Sequence, residues 1–209
     1  MTRAKFDQQL NDINQLVIDL STITKKHLEE AYTSYVTKDV NLARTSIASD
    51  IKVNKLYEEL DQQAIQLILQ QQPVATDLRK IIGIIKIATD IERIADFAVN
   101  IARSSIQLIN NQSTIINKEI EKMFYSMLQM YDQTFQAFVT NDRFLAQEMI
   151  DYDDIIDQYY VTILYDISEL NKEAHLIEEC LQLGFLARYL ERTADHLTNI
   201  AENILYINK

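Results

Sequence analysis

Acidic side chains recur four residues apart at several places in this 209-residue chain. Glu92 and Asp96 form one such pair, and Glu191 and Asp195 form another. Residues four apart on an α-helix lie on the same face, one turn from each other, so each pair would bring two carboxylates together. Neighbouring negative charges repel, and a positive group such as an arginine, a metal ion or a basic partner would stabilise them.

Two further oxygen pairs have the same spacing: Asp50 with Asn54, and Asp153 with Asp157. Oxygen ligands suit hard and borderline cations, so two adjacent helices could direct four such side chains to one metal site. The alternative is a solvated acidic helix face. The candidate metal ligands in the two halves of the chain are Asp50, Asn54, Glu92, Asp96, Asp153, Asp157, Glu191 and Asp195.

The elements that carry these pairs are repeated. Residues 36–39, Val-Thr-Lys-Asp, recur as Val-Thr-Asn-Asp at 139–142, a shift of 103 positions. Residues 91–96, Ile-Glu-Arg-Ile-Ala-Asp, are echoed by Leu-Glu-Arg-Thr-Ala-Asp at 190–195, a shift of 99. Two shifts that differ at one connection are typical of a duplication in which one loop has been shortened.

The composition and the apolar periodicity predict helices. Only 2 Gly and 1 Pro are present, whereas strand-rich folds need many turns that draw on both residues. Apolar side chains recur at helical spacing from Phe6 to Tyr35. We therefore predict an all-α protein of two tandem, pseudo-symmetric, antiparallel three-helix bundles, residues 1–110 and 111–209.

Local signals place the ends of these helices. Asp39 is a plausible N-cap for the second helix, and Pro73 should end it. Thr76 or Asp77 could cap the third. A polar linker near residues 110–116 joins the two copies, and the second copy is expected to form helices over about 117–139, 142–170 and 175–207.

Charge and hydropathy exclude several classes of function. The formal net charge is −11, with no basic stretch, so we expect no nucleic-acid partner. No run of 18 apolar residues occurs, and acidic residues interrupt the N-terminal apolar pattern. We therefore predict a cytoplasmic protein without a membrane span.

Histidine placement argues against a redox enzyme. A di-iron oxidase of the ferritin type needs Glu-x-x-His on two helices. The residues three positions before His27, His175 and His196 are Thr, Lys and Thr. His196 lies beside Asp195 but is expected to pack rather than to bind metal. A single cysteine, Cys180, excludes an internal disulfide and a thiolate metal cage.

Several motifs together resemble the PhoU family. They are Pro-Val-Ala-Thr-Asp-Leu-Arg at 73–79, Lys-Ile-Ala-Thr-Asp-Ile-Glu-Arg-Ile-Ala-Asp at 86–96, and Ala-Arg-Tyr-Leu-Glu-Arg-Thr-Ala-Asp-His at 187–196. Asn-Ile-Ala follows each of the last two, at 100–102 and 199–201. The resemblance covers nearly the whole chain, including its length and its doubled helical plan.

The resemblance to PhoU implies a non-enzymatic accessory protein of the phosphate-specific ABC transporter. Such proteins restrain the phosphate-starvation response by linking the transporter's ATPase subunit to a membrane sensor histidine kinase. Dimers are common among them, and some members bind iron or zinc clusters. The metal here could accordingly be iron, zinc or manganese.

Carried over residue by residue, the resemblance assigns seven of the eight candidate ligands to metal clusters. Asn54 departs from the family pattern, which usually has an acid there, so the first site is expected to be the weaker or to stay empty. Two alternatives remain open. One is a hydrolase or oxidase that uses carboxylate-bound metals, and the other is a helical adaptor for a different transporter.

Overall fold

The computed structural model describes residues 3–71, 73–111, 113, 117–170 and 176–208. Within these residues the chain forms six α-helices and no strand, which confirms the all-α prediction. The helices are α1 (Arg3–Thr37), α2 (Val40–Gln71), α3 (Ala75–Asn110), α4 (Lys118–Thr140), α5 (Arg143–Leu170) and α6 (Ile177–Ile207). None of the described helices is both long enough and apolar enough to cross a membrane.

The same turn joins the first two helices in each half of the chain. Lys38 and Asn141 adopt left-handed backbone conformations, with φ of 56° and 53°, and end α1 and α4. The next residue in each copy, Asp39 or Asp142, accepts hydrogen bonds from the first backbone N–H groups of the following helix at 2.8–3.1 Å. The N-cap prediction for Asp39 is confirmed, and the repeat extends to the chemistry of the turn.

The entry to α3 differs from the prediction. Neither Thr76 nor Asp77 is the N-cap, since the helix begins at Ala75 with Val74 in an extended conformation before it. Asp77 instead lies in the first turn and forms an ion pair with Arg3 of α1. The local pattern could not show that a distant arginine would use this carboxylate.

The remaining boundaries lie close to the predicted ones. α2 ends at Gln71, two residues before Pro73, and Asn117 caps α4 through its side chain. α6 begins at Ile177. The predicted helix start at His175 and the break at residues 171–172 fall outside the described residues.

The six helices pack as two bundles that share a core. Helices α1, α2 and α3 pack together, as do α4, α5 and α6. The two bundles meet along α3 and α6, and α1 also touches α4, where the rings of Tyr32 and Phe124 stack with centroids 3.7 Å apart. Apolar side chains from both halves form one continuous buried cluster. The domain boundaries at 110 and 111 stay a prediction.

Candidate functional site

The first carboxylate cluster lies between α2 and α3. Asp50 and Asn54 project from α2, and the Asn54 amide donates a 3.0 Å hydrogen bond to Asp50. Glu92 and Asp96 project from α3, where Arg93 lies 3.6 Å from Glu92 and 3.2 Å from Asp96. Burial raises the pKa of Glu92, and the charges of Asp96 and Asp50 raise it further. The four predicted residues therefore lie close enough together to interact.

The second carboxylate cluster repeats this arrangement between α5 and α6. The pKa of Asp153 is raised to about 6, chiefly by burial and then by the charges of Asp157, Asp195 and Glu191. Burial, followed by the charge of Asp195, also raises the pKa of Glu191. The structure thus brings together all four predicted residues of the second half.

Arginines on α6 neutralise part of the second cluster. Arg188 lies 2.6 Å from Glu191, and Arg192 lies 2.8 Å from Asp195 and 3.8 Å from Glu191. Four carboxylates therefore face two guanidinium groups, and an excess of negative charge remains. Half-buried like charges of this kind favour the approach of a cation or a basic surface.

The donor chemistry of both clusters suits a metal that prefers oxygen, although the side chains are not drawn together around one point. Asp50 Oδ1 and Glu191 Oε2 are buried and accept no hydrogen bond in the described structure, although Arg192 Nε lies 3.8 Å from Glu191 Oε2. Within the described part of the chain, no three His, Cys, Asp or Glu side chains are arranged as ligands of one metal ion. Metal binding would require side-chain rotation.

A buried histidine lies beside the first cluster, and the sequence did not single it out. His27 of α1 is buried, and neither ring nitrogen has a hydrogen-bond partner of normal geometry among the described residues. Burial lowers the pKa of His27, while the charge of Asp50 partly offsets the effect. The ring is therefore expected to stay neutral near pH 7.

A second interaction that the sequence missed links the two bundles. His196 Nδ1 lies 2.8 Å from Asp90 Oδ1, so the histidine of α6 hydrogen-bonds across to α3 rather than to its neighbour Asp195. The amide of Asn199 also approaches Asp90, at 3.4 Å. The partners lie 106 residues apart in sequence, and no local spacing pattern relates them.

Both halves of the chain match one known domain. The PhoU domain family model matches residues 17–105 and again 120–204. The chain belongs to the PhoU family. The resemblance inferred from the motifs is thereby confirmed, and all eight candidate ligands fall inside the two matched PhoU domains.

Relatives align over nearly the full length of this PhoU family chain. The phosphate-specific transport system accessory protein PhoU homolog of Clostridium acetobutylicum is 30% identical, with 99% of this chain and 95% of the relative covered. The PhoU homolog 1 of Thermotoga maritima is 32% identical, with 97% and 88% covered.

Crystal structures of PhoU proteins share the fold. PhoU from Pseudomonas aeruginosa superposes with a TM-score of 0.93 at 28% identity, covering 97% of this chain and 98% of that one. The phosphate transport system regulatory protein PhoU from Streptococcus pneumoniae gives 0.90 at 27% identity, with 97% and 96% covered. The six-helix arrangement of this chain is therefore the PhoU arrangement.

Proposed function

We propose that this chain is a non-enzymatic, cytoplasmic regulator of phosphate uptake and of the phosphate-starvation response. In this role it couples the ATPase subunit of a phosphate ABC transporter to a phosphate-sensing histidine kinase. It reaches the membrane only through these partners, and it acts as a homodimer. Support comes from its relatives, which are named as accessory proteins of the phosphate-specific transport system.

The geometry favours the two carboxylate clusters as the surfaces that act. Each lies half-buried at the equivalent position of its repeat, and burial and mutual repulsion raise the pKa of Glu92, Asp153 and Glu191. A basic surface on a partner would relieve that repulsion, and added salt would weaken the contact. The observation on which the assignment rests is that four carboxylates of the second cluster face two arginines and keep an excess of negative charge.

Charge reversal in the second cluster tests the assignment. Glu191→Lys/Asp195→Lys is expected to abolish repression of a phosphate-starvation reporter in cells grown with abundant phosphate. Association with the transporter's ATPase subunit in a pull-down should be lost at the same time. Helicity, measured by circular dichroism, should change little, because neither side chain is fully buried and lysine is a good helix former.

The matched control is Asp151→Lys/Asp154→Lys, which makes the same change in net charge on exposed residues of α5. It should repress normally. Full repression by the Glu191→Lys/Asp195→Lys protein would show that the cluster is not the surface that acts.

As an alternative to direct docking of a basic surface, we propose that the clusters hold iron, zinc or manganese, which would neutralise the excess carboxylate charge. The ligands would be Asp50, Asn54, Glu92 and Asp96 in the first cluster and Asp153, Asp157, Glu191 and Asp195 in the second. Support comes from the oxygen donor set and from the buried oxygens of Asp50 and Glu191 that accept no hydrogen bond in the described structure. Because Asn54 brings no charge, the first cluster should bind metal more weakly.

Elemental mass spectrometry of untagged protein tests this second proposal. Stoichiometric metal is expected in the wild-type chain, and most of it should be lost when the second cluster is neutralised by Asp153→Asn/Asp157→Asn/Glu191→Gln/Asp195→Asn. Folded protein without metal would mean that the carboxylates form a bare acidic docking face. The metal proposal would then fall, while the regulatory proposal would stand.

A further inference from the structure

An exposed apolar strip runs along α6 and continues onto the neighbouring helix α5. We define the α5–α6 strip as Leu164, Ile177, Leu181 and Phe185, whose exposed fractions are 40%, 53%, 52% and 41%. The last three follow one another at intervals of four residues, so they lie on one side of α6. A row of large apolar side chains on one exposed helix face is typical of an interaction surface.

A glycine lies on the same side of α6 as the strip. A Cβ atom built on Gly184 would meet nothing within 4 Å, so open space lies above this position. The ring of Tyr160 on α5 lies 5.7 Å from the guanidinium of Arg188 on α6. One turn further along the antiparallel pair, this register brings Leu164 opposite Gly184. The strip therefore borders open space above Gly184.

The strip is continuous with the second carboxylate cluster. Arg188 forms the junction, since it contacts the ring of Tyr160 and pairs with Glu191 at 2.6 Å. From Leu181 to Asp195 the face extends about 20 Å along α6. Over that length the exposed side chains change from apolar residues to carboxylates. One ligand could therefore contact an apolar surface and an acidic surface together.

The first repeat lacks this combination. At the shifts that relate the repeats, Leu164 corresponds to Asp61 and Phe185 to Lys86, so charged residues replace two of the four apolar side chains. Ile82 corresponds to Leu181 and stays apolar. The strip is therefore a property of the second repeat and not a requirement of the shared fold.

We propose that the α5–α6 strip, together with the second carboxylate cluster, binds an amphipathic basic helix of a partner protein. The apolar face of that helix lies on Leu164, Leu181 and Phe185, and its basic end lies over the cluster. Charge complementarity selects this occupant, because four carboxylates face two arginines at one end of the strip. The inference deepens the proposed function and rests on it for the identity of the partner.

The test uses two synthetic helical peptides of about five turns. Both carry leucines along one face, and one has a lysine cluster at one end where the other has glutamates. Binding to the full chain is measured by fluorescence anisotropy. The lysine peptide is expected to bind at least about tenfold more tightly than the glutamate peptide.

Two double variants locate the binding surface. Leu181→Ser/Phe185→Ser should weaken binding of the lysine peptide by about tenfold or more. Val36→Ser/Phe144→Ser removes two exposed apolar side chains elsewhere and should leave binding unchanged. Equal affinity of the two peptides, or unchanged binding to the Leu181→Ser/Phe185→Ser chain, would overturn the inference.

Reporter strains separate this inference from the proposed function. Leu181→Ser/Phe185→Ser should lose repression as well as peptide binding. If peptide binding is lost but repression persists, the strip does not bind the regulatory partner and the inference fails. If the wild-type chain does not restore repression to a strain that lacks it, yet still binds the lysine peptide at the strip, the proposed function fails and the docking surface stands.

Discussion

At the scale of single residues, the second cluster carries an electrostatic cost of folding. The pKa of Asp153 is about 6 in the folded chain against 3.8 for an unperturbed aspartate, because of burial and the charges of Asp157, Asp195 and Glu191. Between these two values the folded state binds more protons than the unfolded state. The Asp153 contribution to stability therefore falls as the pH rises from about 4 to about 6, and the cost is fully present at pH 7.

Neutralising this carboxyl should stabilise the protein in a pH-dependent way. Asp153→Asn is expected to raise the free energy of unfolding by about 1 kcal/mol at pH 7, after allowance for the half-exposed position, and by almost nothing near pH 4. Urea unfolding at several pH values between these limits measures the difference. Asp154→Asn, at an exposed neighbouring position, should show no such trend; an equal gain at pH 4 and pH 7 would contradict the electrostatic origin.

At the scale of helices, the two glycines have different structural roles. A Cβ on Gly83 of α3 would lie 2.4 Å from Cγ1 and 2.7 Å from Cδ1 of Ile207, so the end of α6 packs directly on the glycine backbone. Cation–π contacts of Arg79 and Lys86 with Tyr206 hold the same end of α6. Gly184 on α6 has open space instead.

Alanine substitution should therefore have opposite effects at the two positions. Gly184→Ala is expected to raise the free energy of unfolding by about 0.5–1 kcal/mol through helix propensity. Gly83→Ala should lower it by about 1 kcal/mol because Ile207 must move. In an Ile207→Ala background the cost of Gly83→Ala should disappear. A double-mutant cycle from urea unfolding measures this coupling, and additive effects would refute the steric explanation.

At the scale of the whole molecule, the contact between α3 and α6 joins the two bundles, and its residue pairs are related by pseudo-twofold symmetry. Asp90 and Phe97 of the first repeat correspond to Tyr189 and His196 of the second. Asp90 hydrogen-bonds His196, and the equivalent pair on the other side, Phe97 and Tyr189, stacks with ring centroids 6.2 Å apart. Because this contact belongs to one continuous core, the two repeats should unfold together.

A substitution that destabilises one bundle should therefore increase hydrogen exchange in the other. Leu60→Ala in α2 removes a fully buried side chain and is expected to cost about 2–4 kcal/mol. Hydrogen exchange is measured by mass spectrometry. The most protected amides of α6 should exchange faster, by the same factor as the equilibrium constant for unfolding increases. Ile163→Ala, at the equivalent position of α5, should in the same way increase hydrogen exchange of the amides of α2. Unchanged protection in α6 would mean that the bundles unfold independently.

Much of the architecture and of the site was predictable because it depends on local order. The apolar spacing and the Asp39 cap define helices within a few residues, and the repeat indicates that the same hairpin occurs twice. The carboxylate clusters also followed from sequence, since residues four apart share a helix face whatever surrounds the helix. The local signal failed at α3, where Asp77 forms an ion pair with Arg3 instead of capping the helix.

The sequence by itself determined the helices, the duplication and which oxygen side chains stand on one face of each helix. Only the tertiary structure decided how the two copies pack, because the contact between α3 and α6 depends on shape complementarity between residues about a hundred positions apart. That packing placed His196 against Asp90. The packing of α5 on α6 within the second copy set the burial that raises the pKa of Asp153, since desolvation depends on what covers a side chain and not on its neighbours in sequence.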